Sequence, residues 1–201
     1  MKLRIATWNK IKQQELSHAL TDLPIEHGFV ANTIADIQET GQTFTENAFL
    51  KAETIQHYYP DDIIIGEDSG LSIEVLAGFP GVKTARFIPG SDRERALNLF
   101  DRLKHYPLSK RKAAFHSVIA ILFPDGSKSI ATGTMRGWIN RNEDKPISGY
   151  GSIFQLENRI YLEELSLQSY LALSHRQLAL QQACYLIGDW LNQGGDSCET
   201  S

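Results

Sequence analysis

A mixed α/β fold, with helices flanking a mixed β-sheet, is predicted by three features of this chain. Helix-like and strand-like segments interleave, one long hairpin interrupts the alternation, and the β-branched run Ile63-Ile64-Ile65 reads as a strand covered on both faces. With 201 residues, 42% hydrophobic and 22% charged, the chain can bury a sizeable core as one domain or as two closely joined lobes. A net charge of −4 leaves no basic excess, which argues against nucleic acid or an anionic membrane as the main partner. Any phosphate contact must come from a few placed residues. Cys184 lies in a helical pattern and Cys198 in a polar tail, giving neither a disulfide framework nor metal-ligand spacing, which fits a reducing cytoplasm. The opening Met1 to Ala6 is too short for a signal-peptide core, and no apolar run approaches a membrane span.

Each element has a local cause. Leu3 to Thr7 reads as a first strand, and Lys10 to Leu20 as a helix with Ile11, Leu16, Ala19 and Leu20 at helical spacing. Thr43-Phe44-Thr45-Glu46 is a capping-box sequence that opens a second helix through Ala48, Phe49, Ala52 and Ile55 to about Tyr59, where Pro60 stops it. The Ile63 to Ile65 strand follows, then a loop punctuated by Gly78, Pro80 and Gly81. Ser91-Asp92-Arg93-Glu94 starts another helix, running to about Leu103. Ala113 to Phe123 and Ser127 to Gly137 form a hairpin joined by Pro124-Asp125-Gly126. The last helix spans Ser174 to Leu191, with Ser174 and Gln177 as a capping box, and the tail from Gly194 to Ser201 reads as disordered.

Three groups of residues carry chemistry. The Ile run stops at Glu67-Asp68-Ser69-Gly70-Leu71, which reads as a strand end presenting two acids before Gly70 turns the chain away. Adjacent strand residues face opposite ways, so one acid can hold a metal while the other handles a water. Together with Glu39 these acids supply hard oxygen ligands suited to Mg²⁺ on phosphate oxygens. Thr7-Trp8-Asn9-Lys10-Ile11-Lys12, between a strand and a helix N-terminus, is placed to receive an anion, though Asn9 equally suits a helix cap and Lys12 a solvated surface. Lys51 follows Glu46 by slightly more than one turn, a spacing that reads either as a same-face phosphate contact or as a surface lysine.

These residues resemble the inosine triphosphate pyrophosphatase family. The blocks are Thr7-x-Asn9-x-x-Lys12, Thr43-Phe44-x-Glu46-Asn47-Ala48-x-x-Lys51-Ala52, Glu67-Asp68-Ser69-Gly70-Leu71, Pro80-Gly81-Val82-x-x-Ala85-Arg86-Phe87 and Ser174-His175-Arg176, in the family's order. The resemblance implies a single nucleoside triphosphate pyrophosphatase-like domain over residues 1–193, with two lobes around a central nucleotide-binding cleft. It implies Mg²⁺-dependent attack of water on the α-phosphorus of ITP, dITP or XTP, giving the monophosphate and pyrophosphate. Asp68 would be general base and metal ligand, Glu39 the other metal ligand, and Glu67 and Lys51 further catalytic groups. Thr7, Asn9 and Lys12 would bind the triphosphate, Ser69 the substrate, and Tyr150, Gly151, His175 and Arg176 the purine. A small-molecule triphosphate as partner, no nucleic acid, no membrane, a cytoplasmic location and a homodimer are implied too.

The chain also departs from the family. Where the family has Gly-Phe-Gly, an aromatic, Asp and Pro, this sequence reads Gly149-Tyr150-Gly151-Ser152-Ile153-Phe154. Tyr170 stands where a Lys is usual, and Trp8 where a Gly is usual. Tyr150, Tyr170 and Trp8 either supply a stacking ring or simply pack. Two expectations follow: a working enzyme with a modified base pocket, or a diverged relative that binds nucleotide or a protein partner with little catalysis.

Overall fold

In a computed structural model, which describes residues 1–20, 23–31 and 33–194, β1 (Leu3–Ala6) lies between two parallel neighbours, β2 (His27–Phe29) and β3 (Ile63–Ile73). The six-stranded sheet continues through β4 (Lys112–Leu122) and β5 (Lys128–Ile139) to β6 (Phe154–Gln155), which runs antiparallel to β5. The helices are α1 (Lys10–Ala19), α2 (Phe44–Gln56), α3 (Asp92–Leu103), α4 (Leu167–Leu173) and α5 (His175–Asn192). No described helix is long and apolar enough to cross a membrane. The expected mixed α/β fold is therefore present.

The main correction concerns β3. It does not end at the acids: it runs 11 residues, straight through Glu67 to Gly70, and Gly70 does not turn the chain. Leu71 and Ile73 are fully buried while Ser72 is half-buried, so the apolar alternation that sustains a strand continues beyond the acids. What ends is the neighbour. The last pair of the β1 ladder is Ala6↔Gly66, so Glu67 and Asp68 stand just beyond the carboxyl end of β1.

The chain packs as two compact units. The first holds Met1–Asp68, Ser117–Gly133 and the chain from Arg176; the second holds Ser69–His116 and Thr134–His175. In the first unit, Ile63 and Ile65 enter a cluster with Leu3, Ile5, Leu16, Leu180 and Ile187, while Ile64 enters another with Ala48, Ala52 and Ile55. The run is thus covered on both faces, each isoleucine contributing about 1.5–3 kcal/mol by burial. The helix α2 sits directly against the strand, for a Cβ added at Gly66 would meet the Ala48 carbonyl oxygen at 2.2 Å and the Ala52 nitrogen at 2.8 Å. The second unit closes around Leu71, Ile73, Leu99, Leu103, Phe115, Met135, Ile139 and Phe154.

Local signals account for most boundaries. The capping boxes Thr43/Glu46 and Ser91/Glu94 are both formed, and α2 ends at Gln56, three residues before the expected Tyr59. At the hairpin turn, Asp125 Oδ1 accepts from the Ser127 amide and hydroxyl, and Gly126 takes φ 85°. The Ser174/Gln177 box is not formed, because the Ser174 hydroxyl is buried without a hydrogen-bond partner. The short β2, β6 and α4 carry no periodic signal; Leu167, which opens α4, is exposed. The tail expectation, with Cys198, falls on residues 195–201, outside the described residues.

Candidate active site

Asp68 is buried, and the side chains of Asn47 and Lys51 in the first unit address it. Asn47 donates from Nδ2 to Oδ2 at 3.0 Å, Lys51 Nζ stands 3.8 Å from Oδ1, and Lys51 also pairs with Glu39. The Lys51 ammonium further donates to the Glu67 carbonyl at 3.0 Å. Lys51 is therefore no surface lysine, being 6% exposed. Nor does it share a face with Glu46, since five residues rotate a helix by about 140° past a full turn. The residue sharing its face is Asn47, four positions earlier, while Glu46 accepts from the Thr43 amide as the exposed cap acid. Burial pushes the Asp68 carboxyl above its ordinary value, Lys51 pulls it down, and the nearby Glu39 charge raises it again.

Asn47 is the residue that sequence reasoning passed over. Its amide is oriented by both ends, because Oδ1 accepts from the Gly41 N–H at 2.8 Å while Nδ2 serves Asp68. Gly41 has no room for a side chain, a Cβ there meeting Asn47 Oδ1 at 2.6 Å. The signal was available in the sequence: Asn47 is one helical turn from Lys51, and a buried amide inside a helix needs a partner.

Glu67 points into a different set of groups. Lys12 Nζ is 2.7 Å from Oε2, Arg176 Nε is 3.2 Å from Oε1, and Ser117 donates to Oε1 at 2.9 Å. Arg176 also pairs with Glu15, whose carbonyl accepts from Gln177 Nε2 at 2.6 Å. Burial alone would raise the Glu67 carboxyl, but the Lys12 and Arg176 charges outweigh it and hold the group well below the usual carboxylate range. A depressed folded-state value contributes stability above the unfolded value of 4.5 and loses it as pH falls toward the folded one. The Tm gap between wild type and Glu67→Gln is expected to be widest at neutral pH and to narrow below about pH 4.5, read by thermal melts at several pH values. A gap independent of pH would show that Glu67 is not held ionised.

The remaining candidates divide between the units. In the first, Thr7 is buried, and its hydroxyl oxygen accepts from the Asn9 amide at 3.4 Å. Asn9 Oδ1 accepts from the Lys12 amide at 3.3 Å, which is a helix cap, and Trp8 donates to the Ile34 carbonyl at 2.8 Å and packs on the α2 side. In the second, His175 stacks on Phe115 with centroids 5.3 Å apart at 22°, and Phe115 stands edge-on to Tyr150 at 6.3 Å. The Tyr150 hydroxyl donates to the Thr84 carbonyl at 2.6 Å. Gly151 lies beside Tyr150 and close to Glu163, and Ser69 is half-buried in β3. Ser152 holds its own loop together, accepting from the Ser148 amide at 3.0 Å and donating to the Gly149 carbonyl at 2.7 Å.

Among the described residues, no cluster of three or more His, Cys, Asp or Glu side chains could hold a metal by itself. Mg²⁺ needs less than that, since phosphates and water complete its shell. Asp68 and Glu39 fit such an ion: both are hard oxygen donors, and the Lys51 cation already stands against both carboxylates. A buried acid with a raised carboxyl, an ammonium and an oriented amide beside a basic loop makes a site suited to moving a proton next to a polyanion.

The fold is that of a mixed α/β protein with a buried acid held by an amide and an ammonium, and comparison with known proteins places it more closely. Residues 3–185 match the Ham1 family, to which the chain belongs. It is 44% identical over 191 residues to the "Non-canonical purine NTP pyrophosphatase homolog" of Halalkalibacterium halodurans, covering 94% of this chain and 97% of that one. It is 36% identical to the "dITP/XTP pyrophosphatase" of Leuconostoc mesenteroides, covering 95% and 98%. Its fold matches that of a HAM1 protein from Coxiella burnetii with a TM-score of 0.80 at 31% identity, covering 94% of this chain and 99% of that one.

Proposed function

We propose that this protein is a nucleoside triphosphate pyrophosphohydrolase that removes ITP, dITP and XTP from the nucleotide pool, the class of activity for which its relatives are named. The observation that carries the mechanism is the buried Asp68 held by Asn47 and Lys51 beside Glu39. Asp68 accepts the proton of a water attacking the α-phosphorus; the new P–O bond forms as the bond to the bridging oxygen breaks and pyrophosphate leaves. Bound at Asp68 and Glu39, Mg²⁺ would acidify that water and neutralise phosphate charge. Lys51 keeps Glu39 and Asp68 together, while Lys12, on the α1 end capped by Asn9, receives phosphate oxygens with the Thr7 to Asn9 backbone.

Base choice falls to His175 and Arg176, with Ser69, Tyr150 and Gly151 as further substrate contacts. A keto oxygen accepts from such donors, whereas the amino group of adenine sets donor against donor. One observation favours a shifted base choice: Tyr150 and Ser152 are engaged in building their own surroundings. By family resemblance, residues 1–193 act as one domain, in the cytoplasm and as a homodimer.

Pyrophosphate release with Mg²⁺ across ITP, dITP, XTP, GTP, ATP and pyrimidine triphosphates tests the reading; no turnover above an Asp68→Asn background would refute it. Lys12→Ala is expected to raise KM on the order of tenfold for every triphosphate alike, since it holds phosphate. His175→Ala is expected to lower the ITP:ATP ratio of kcat/KM by about tenfold. Equal loss on all nucleotides would remove His175 from base reading.

A further inference from the structure

Glu67 is 1% exposed, and its two oxygens are divided between elements far apart in the chain: Oε2 faces Lys12 of α1, and Oε1 faces Arg176 of α5 and the Ser117 hydroxyl of β4. A carboxylate so buried depends on its cations, and removing one increases the pull on the other. We propose that Glu67 is a positioning residue that couples the two ends of the nucleotide: triphosphate draws Lys12 from Oε2, and Glu67 then holds Arg176 for the base. The inference rests on the phosphate role of Lys12 and the base role of Arg176 proposed above, and it replaces the direct catalytic role that the sequence suggested for Glu67.

The coupling has a direction. In the empty protein Glu67 competes with phosphate for Lys12, so anything that weakens the hold of Arg176 on Glu67 tightens its hold on Lys12 and weakens phosphate binding. A ligand with no base should feel Arg176 through this bridge. Linkage makes the effect reciprocal: occupied phosphate sites sharpen the base discrimination that Arg176 provides.

The probe is inorganic tripolyphosphate, with affinities measured by calorimetry for wild type, Lys12→Ala, Arg176→Ala, Glu67→Gln and the Arg176→Ala/Glu67→Gln double variant. Arg176→Ala is expected to weaken tripolyphosphate binding on the order of tenfold, and Glu67→Gln to tighten it by a similar factor by releasing Lys12. In the Glu67→Gln background the Arg176→Ala effect should shrink to about twofold, the residue of long-range charge. An equal Arg176→Ala effect in both backgrounds, or weaker binding by Glu67→Gln, would overturn the coupling. If Lys12→Ala binds tripolyphosphate as wild type does, the phosphate role of Lys12 falls, and the coupling with it. Should Glu67→Gln fail to fold, Ser117→Ala serves: losing one donor to Oε1 leaves Glu67 leaning harder on Lys12, so tripolyphosphate should bind about threefold more weakly, and unchanged binding would overturn the proposal.

Discussion

Asp68→Asn is expected to lower kcat for pyrophosphate release by about a thousandfold while KM for ITP changes less than about fivefold. The amide keeps the size of the carboxylate and can still accept from Asn47 Nδ2, so the packing around it survives. What disappears is the ability to take a proton from water, together with one hard oxygen ligand for Mg²⁺. Lys12, to which the phosphate contact is assigned, pairs with Glu67, the neighbouring acid that points into a different set of groups, and not with Asp68, which is why binding should persist. Steady-state kinetics separates the two parameters; a kcat within tenfold of wild type would remove Asp68 as the base.

The second large effect concerns the backbone beneath that acid. Gly66→Ala should destabilise the protein by about 3 kcal/mol, because the new methyl meets the backbone of α2 rather than a side chain that can swing aside. For a chain of this size that corresponds to a Tm fall of roughly 6–12 °C. Relief of the clash requires α2 to move off β3. That movement carries Asn47 and Lys51 away from Asp68, so kcat should fall in the same variant. Gly28→Ala is the control, since a Cβ there meets nothing within 4 Å, and it should change stability by less than about 0.5 kcal/mol. A Gly66→Ala protein with wild-type melting and wild-type kcat would mean that α2 does not rest on that glycine.

Much of the architecture was legible because its signals are local. A β-branched triplet declares a two-sided strand, and Thr43/Glu46 and Ser91/Glu94 declare helix starts through bonds made within four residues. The short β2 and β6 lack such signals and owe their form to neighbours, whereas α4 has a local cap that sequence reasoning passed over, the Ser166 hydroxyl oxygen accepting from the Ser169 amide. The strand end at Gly70 was misread for a related reason: a glycine in a strand looks like a turn unless the alternation beyond it, Leu71 to Ile73, is weighed as well.

The sequence by itself determined which residues bear charge and in what order: two adjacent acids after an apolar strand, a lysine at the start of one helix, another inside the next, and a His-Arg pair opening the last. Adjacent residues in a strand must face opposite ways, so even the separation of Glu67 from Asp68 was implicit. Tertiary structure alone decided what each charge meets. Lys51 and Asn47 reach Asp68 because α2 lies against the backbone at Gly66, and Lys12 and Arg176 share Glu67 because α1 and α5 both pack on β3. Those pairings bridge separations as long as 109 residues, where neither helical nor strand period carries information, and they form only where burial brings opposite charges out of water together.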